Sequence, residues 1–309
     1  MGRKAGEAPL GGATVRIKGF DGTASTDSNG YFRIEVLSAG TYSLYVTCSG
    51  FSVIERQCSV SSGGTASLGA LTASVNTSPQ IAFLEPDSAR EGGPVKICGI
   101  NFGESSQVSF NGREASAYWH RGEDQIVCTV PAGATSGMVT VGGNTAGRYI
   151  SILPAGDLAV SDQYVPAESS DIPVTVRLER DLKGLNGLAF FLKYDASRLS
   201  LASSVGTGGV ELDPALGGAL LMVKPGSSGS SGVLGIGLTL KGSVLNGKRR
   251  ILTVHFKPVA SPAQGALGRV EMDSSRKRPR ACLKNEGQPI MVELSSNPGY
   301  VVFRREDKN

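Results

Sequence analysis

Histidine and tryptophan are nearly missing from this chain: 309 residues hold two and one of them, and aromatics make up only 6%. Two imidazoles, His120 and His255, far apart in sequence, make a Ser-His-Asp arrangement improbable. Long apolar runs are missing too. A stretch such as Ala219 to Val223 is far too short to cross a bilayer, so no membrane insertion is expected within the chain. No window carries an i, i+3, i+4, i+7 apolar stripe, which removes helices as the main element. The five cysteines show no Cys-x-x-Cys spacing, so zinc and redox chemistry are not expected. Charge is modest, +4 overall, with no basic face at the scale of the whole chain.

What is present in quantity is glycine, 42 residues, with 15 prolines and many Ser and Thr. That composition favours short strands and tight turns, and the fold class expected is all-β. The length exceeds what one hydrophobic core usually covers. Three consecutive β-sandwiches are expected, over residues 1–76, 79–153 and 154–309.

In the first, strands are expected at Ala13 to Lys18, Gly30 to Val36, Thr41 to Cys48 and Ser52 to Val60. Asn29-Gly30 supplies the positive φ angles of a two-residue hairpin, and Tyr42, Leu44 and Val46 share one face. Asp27 to Gly30 has some flavour of a calcium loop but lacks the repeated acids and distal Glu, so it is read as a turn and no metal is expected. Ser74 to Pro79 has linker composition, and Asn76-Thr77-Ser78 is a glycosylation sequon.

Cysteine placement adds geometry. With a turn near Ser49-Gly50, Cys58 falls opposite Tyr42, and the sulfurs of Cys48 and Cys58 lie roughly 20 Å apart at about 3.4 Å per residue. They are expected to stay unbonded. Cys98 and Cys128 sit on separate predicted strands of one domain and leave two outcomes open, a bond across the sandwich or two thiols. Cys282 is left over.

The motifs resemble known modules. Pro9-Leu-Gly-Gly-Ala-Thr-Val15, Thr26-Asp-Ser-Asn-Gly-Tyr-Phe32, Ala39-Gly-Thr-Tyr42 and Gly50-Phe51 resemble the carboxypeptidase regulatory-like domain, a small prealbumin-type sandwich without its opening strand. Ile81 to Pro86, Gly92 to Gly103, Val108 to Gly112 and Gln125 to Pro131 resemble an IPT/TIG domain, immunoglobulin-like. In that pattern Trp119 falls just before a strand entry, where it either packs on the sandwich or offers a sugar platform. His120 beside it reads as a loop polar group. Asp171 to Val176, Phe190 to Leu201, Gly247 to Phe256 and Gly299 to Phe303 resemble, in order, a cohesin-type jelly roll.

Those resemblances imply a non-catalytic, extracellular or cell-surface binding and scaffold protein with no cofactor. The partner implied is a dockerin-like protein module or a polysaccharide, in a setting of carbohydrate binding and polysaccharide catabolism. The N-terminus lacks the apolar core of a signal peptide, and with the opening strand missing we expect a fragment or misplaced start, the export signal lying upstream. Two further readings stay open: a structural adhesin or surface-layer stalk, and the accessory tail of a truncated polysaccharide-degrading enzyme.

Alternation over Leu188 to Tyr194 sets the expected site. Leu188, Phe190, Leu192 and Tyr194 point to the core, and Gly187, Ala189, Phe191 and Lys193 point outward as the binding face. Phe191 is either an exposed hot spot or covered by the loop Gly226 to Gly232. The acids Asp157, Asp162, Asp171, Glu179, Asp195, Glu211 and Asp213 fall in no pairing motif, so glycosidase chemistry is not expected. Arg276-Lys277-Arg278-Pro279-Arg280 has no interleaved aromatics and reads as a solvated loop between strands, without nucleic acid as partner.

Overall fold

The computed structural model describes residues 8–304 apart from 21, 36–37, 105, 116–117, 144–146, 229–230, 241–245, 260–261, 263–264 and 286–287. The chain forms two compact units, Met1–Ile152 and Leu153–Asn309, and the described residues are all-β apart from one turn of 3₁₀ helix at Pro214–Leu216.

The first unit opens with β1 (Thr14–Ile17), β2 (Thr23–Ser25), β3 (Gly40–Thr47) and β4 (Ile54–Val60) in one antiparallel sheet, order β2-β1-β3-β4. Its core is Val15, Ile17, Leu44 and Val46, with Phe32, Ile34, Leu68 and Leu71 packed against it. The strand expected from Gly30 to Val36 does not form: Tyr31 to Glu35 joins no ladder, and Val36 lies outside the described residues. The reason is the turn before it. Asp27 Oδ1 accepts the backbone N–H of both Asn29 and Tyr31, at 2.8 and 2.9 Å, and only Gly30 takes positive φ. This Asx-type turn replaces the two-residue hairpin that Asn-Gly suggested.

Next come β5 (Gln80–Glu85), β6 (Ser88–Arg90), β7 (Pro94–Ile100), β8 (Val108–Phe110), β9 (Arg113–Glu114), β10 (Tyr118–Arg121), β11 (Gln125–Thr129), β12 (Gly137–Val141) and β13 (Arg148–Leu153). They form two facing sheets, β10-β11-β7-β5 and β6-β13-β12-β8-β9, around Val95, Ile97, Phe110, Ile126, Cys128, Val139 and Ile150. Trp119 lies inside β10 opposite Val127, and His120 opposite Ile126, so neither is in a loop. Their side chains lie outside the described residues.

β3 is buried on both sides. Leu44 and Val46 face their own core, whereas Tyr45 meets Phe83 of β5, with ring centroids 4.8 Å apart, beside Ala82 and Cys98. A polar frame surrounds this contact: Tyr45 donates to Glu55 at 3.0 Å, Arg148 pairs with Glu55 at 2.9 Å, Lys18 with Asp87 at 2.8 Å, and Arg16 with Asp124. Burial, reinforced by the Glu55 bond, pushes the Tyr45 phenol up to about 12. Ser74 to Pro79 is not a loose linker. Asn101, at φ +60°, donates to the carbonyls of Asn76 and Ser78 and accepts the Gly50 N–H, while Val75 bridges to Phe51.

Register decides the cysteines. Cys58 pairs with Tyr42 as expected. Cys98 and Cys128 stand on adjacent strands of one sheet, opposite Gln125 and Val95, not across the sandwich. Their three-residue offset puts Cys128 in the core and Cys98 against Tyr45, on opposite faces, so both are free thiols. Burial pushes the Cys98 thiol up to about 12 and raises Cys128 as well.

The second unit holds β14 (Leu158–Val160), β15 (Gln163–Pro166), β16 (Ile172–Leu178), β17 (Leu185–Asp195), β18 (Leu199–Leu201), β19 (Val210–Leu212), β20 (Leu220–Ser228), β21 (Ser231–Thr239), β22 (Arg249–Pro258), β23 (Leu267–Met272), β24 (Arg280–Asn285), β25 (Gln288–Glu293), β26 (Ser296–Asn297) and β27 (Gly299–Arg304). One sheet runs β18-β22-β16-β14-β26, with β19 also on β22. The other runs β15-β27-β23-β17-β21-β20, with the β24–β25 hairpin added along β17. Val174, Val176, Leu252, Val254 and Phe256 from the first meet Leu188, Phe190, Leu192, Ile236, Leu238 and Phe303 from the second. Gly232 lies opposite Tyr194, and a Cβ there would fall 1.9 Å from the ring, so only glycine lets Tyr194 lie flat and reach Phe256 at 5.0 Å.

Two measurements test this packing. Phe83→Ala should destabilise the first unit by about 3–5 kcal/mol in urea denaturation, the usual range for emptying a buried phenyl site. In native protein a thiol reagent should label Cys48, Cys58 and Cys282 first, with Cys98 and Cys128 reacting only on unfolding. Peptide mapping that finds all five labelled at one rate contradicts the burial described.

Candidate functional site

The expected face exists as a surface, formed differently from its sequence outline. Leu188, Phe190 and Leu192 are in the core with Tyr194 packed against it, and the alternate residues of β17 turn outward. Antiparallel partners share a face. Ala189 therefore lines up with Gly237 of β21 and Arg280 of β24, and beyond them with Met222 of β20 and Glu293 of β25. The neighbouring row is Leu220, Thr239, Gly187, Cys282 and Met291, and a third starts Lys224, Gly235, Phe191.

Of the four residues, Ala189 is exposed, Phe191 and Lys193 are half-buried and Gly187 is buried. Gly187 is not the open position that alternation implied, because the β24 backbone runs beside it and Cys282 Cβ lies 3.7 Å from where its own Cβ would stand. Phe191 is not left bare; of the loop Gly226 to Gly232, the ends are paired within the β20–β21 hairpin and residues 229–230 lie outside the described residues. The Arg276 guanidinium lies over its ring at 5.9 Å, and its edge lies against Gly235, where an added Cβ would sit 3.2 Å from the ring. Arg276 also donates to the Ser227 carbonyl at 3.2 Å and pairs with Asp273 at 3.3 Å. Asp273 in turn donates its N–H to the Phe191 carbonyl at 2.7 Å, at the break where β17 changes partner from β23 to β24. The basic run is thus a strap across one end of the face, with Arg280 already in a strand.

Sequence reading missed Leu220, Met222 and Met291, which are 55%, 72% and 59% exposed on this same face. The signal was available in the alternation Leu220-Leu-Met-Val-Lys224 and in Gly235-Ile-Gly237. The result is a trough two strands wide. Gly235, Gly237 and Ala189 form its floor, and side chains of β20 and β24 stand at its sides, about 14 Å apart by three inter-strand steps of about 4.8 Å.

Several other titratable groups of the second unit hold strands together. His255 is buried on β22, its Nδ1 within 2.9 and 3.1 Å of the Asp171 carboxylate and its Nε2 3.5 Å from Glu211. Sequence gave no hint that Asp171 and Glu211 meet one imidazole. Asp171 holds the ring through Nδ1, whereas Nε2 is buried without a hydrogen-bond partner, and no hydroxyl or thiol among the described residues bonds to it. Burial by itself would raise the Asp213 carboxyl, but the Ala215 N–H and the Arg250 guanidinium hold it below the usual range. Asp157 is bound to Ser295 and Arg180, Asp195 to Ser197 and Arg198, Glu179 to Arg177, and Asp162 accepts the Tyr300 N–H. Among the described residues no group of His, Cys, Asp and Glu has the arrangement of a metal site.

The two faces of β17 predict unequal costs. Phe190→Ala should lower stability by about 3–5 kcal/mol, whereas Phe191→Ala, on the half-covered side, should cost about 1 kcal/mol. Denaturation of the two variants side by side measures the difference, and equal losses contradict the assignment.

Comparison with known proteins adds family assignments for the first unit. Residues 3–73 match the carboxypeptidase regulatory-like domain, and residues 79–154 match the IPT/TIG domain. No curated protein matches the chain. Among solved structures, the chain is similar to the sixth cohesin of scaffoldin B from Acetivibrio cellulolyticus, solved with a dockerin, at 18% identity and TM-score 0.38, over 49% of this chain and 100% of that one. It is also similar to a non-cellulosomal cohesin from Archaeoglobus fulgidus, at 13% identity and TM-score 0.36, over 50% and 95%. A Bacteroides ovatus SGBP-B from a mixed-linkage glucan utilization locus, solved with a heptasaccharide, aligns at 13% identity and TM-score 0.22, over 96% of this chain and 60% of that one. The first unit is accordingly a carboxypeptidase regulatory-like domain followed by an IPT/TIG domain.

Proposed function

We propose that this chain is a non-catalytic modular binding protein, acting outside the cell or at its surface, in which the sandwich of the second unit docks a dockerin-bearing protein. The observation that carries this reading is the outer face of the eight-stranded sheet, where Ala189, Leu220, Met222 and Met291 stay exposed around a floor of small residues. Exposed apolar side chains gathered on one flat face are the usual mark of a protein contact. The cohesin-type motifs described from sequence name the kind of partner. A scaffold role for the first unit fits its two module types and its buried junction at Tyr45 and Phe83.

The polysaccharide reading has less support on this face. Sugar rings stack on open aromatic planes, and the ring present, Phe191, lies under Arg276. Catalysis has less support still, since among the described residues no hydroxyl or thiol hydrogen-bonds His255 Nε2 and Asp213 is taken up by Arg250.

The test is capture of recombinant dockerin modules, encoded in the same genome, by the full immobilised chain. Wild type should bind at least one of them, and Ala189→Asp and Phe191→Asp should each weaken that binding by about tenfold or more, as burying an unpaired charge requires. A dockerin held equally well by all three proteins places the contact elsewhere.

A further inference from the structure

We propose that the partner of this face presents a ridge about one helix wide, apolar along its crest and acidic along both flanks. This rests on the docking reading above and deepens it. The trough is about 14 Å across, from three inter-strand steps of about 4.8 Å, and an α-helix with its side chains measures about 10–12 Å. Gly237 leaves the floor open beside Ala189, while the Phe191 ring lies against Gly235 at the strapped end, so a convex element reaches the sheet at Gly237 and Ala189. Leu220 and Met222 on the β20 side supply exposed apolar contact, with Met291 one strand beyond β24, and methionine adapts to irregular partners.

Charge sets the flanks. Lys224 is exposed on the β20 side and Arg280 on the β24 side, and Arg276, Lys277 and Arg278 are exposed at the strapped end. The carboxylates of this face are already shared. Glu293 lies between Arg278 and Arg280 at 3.7 and 3.4 Å, Asp273 is buried against Arg276, and Glu271 pairs with Arg269 at 2.8 Å. Among the described residues no carboxylate pairs with Lys224 or Lys277. Cations on both sides and at the strapped end, with Lys193 toward that end of β17, around the uncharged Ala189, Gly235 and Gly237, attract anions at the margins of a ligand and not at its centre. That pattern suits an acid-flanked protein ridge. A sulfated polysaccharide, charged throughout, would leave the apolar walls unused.

The experiment is fluorescence anisotropy with the full chain and three probes: a helical peptide with a Leu/Ala stripe flanked by Glu, the same stripe flanked by Lys, and a heparin oligosaccharide. The Glu peptide should bind about tenfold or more tighter than the Lys peptide, and lose most of its affinity as salt rises and screens the flanks. The double variant Lys224→Glu with Arg280→Glu should reverse the preference. Equal binding of the two peptides, binding of neither, or displacement of the Glu peptide by heparin overturns the proposal. Ala189→Asp with Met222→Asp separates the two readings on the captured dockerin. If dockerin binding survives that pair, the docking face is wrong. If dockerin binding is lost there but unaffected by the charge reversal, only the acidic flank is wrong.

Discussion

The second unit depends on the alternation of one strand. β17 sits between β21 on one edge and β23 and β24 on the other, so its register is held along nearly its whole length. Phe190 and Phe191 are consecutive and therefore point to opposite faces. Phe190 enters the core with Leu188 and Leu192, and Phe191 is left to the outer face. A slip of one residue would bring Lys193 into that core and expose all three apolar side chains, so the outer face is a consequence of how the inner face packs.

β3 in the first unit shows the same rule with another outcome. Its inner face, Leu44 and Val46, fills a small core, and its other face, Tyr45, is covered by Phe83, Ala82 and Cys98 of the neighbouring sandwich. There the second apolar face is satisfied inside the unit. On β17 and β20 the second face keeps Ala189, Leu220 and Met222 in solvent, with an arginine strap over only one end. The Asp273–Arg276 pair that builds the strap also fixes where β17 exchanges one partner strand for the next. The closed end of the face and its positive charge thus arise from one connection.

Some strands were legible: β17 lies close to the alternation of Leu188 to Tyr194, and β16, β22 and β27 overlap the motifs Asp171 to Val176, Gly247 to Phe256 and Gly299 to Phe303. The failures have local causes. Tyr31 to Glu35 carries the composition of a strand, but Asp27 binds the backbone N–H groups that a hairpin would have aligned. β24 was hidden because its first residue closes a basic run that looked like a solvated loop, and its pairing with β17 is nearly a hundred residues away in sequence. Of the candidate site, the outward turn of Ala189, Phe191 and Lys193 could be read from alternation, and the burial of Gly187 beside β24 could not. Leu220 and Met222 carry the same alternation, but their place beside β17 could not be read, since nothing local says that β20 and β24–β25 lie on either side of it.

Alternation is a local property, set by the geometry of an extended backbone, and for that reason the sequence by itself determined which side chains of each strand turn together. It also determined the all-β class, through glycine, proline and β-branched content and the lack of helical stripes. Which strands become neighbours was decided only in the tertiary structure, by long-range ladders and by contacts such as Arg276 on Phe191 that join residues far apart in the chain. The same holds for Cys98 and Cys128, whose separation depends on a three-residue register offset between two strands. Pairing register is a sum over many distant contacts and leaves no mark within either strand alone.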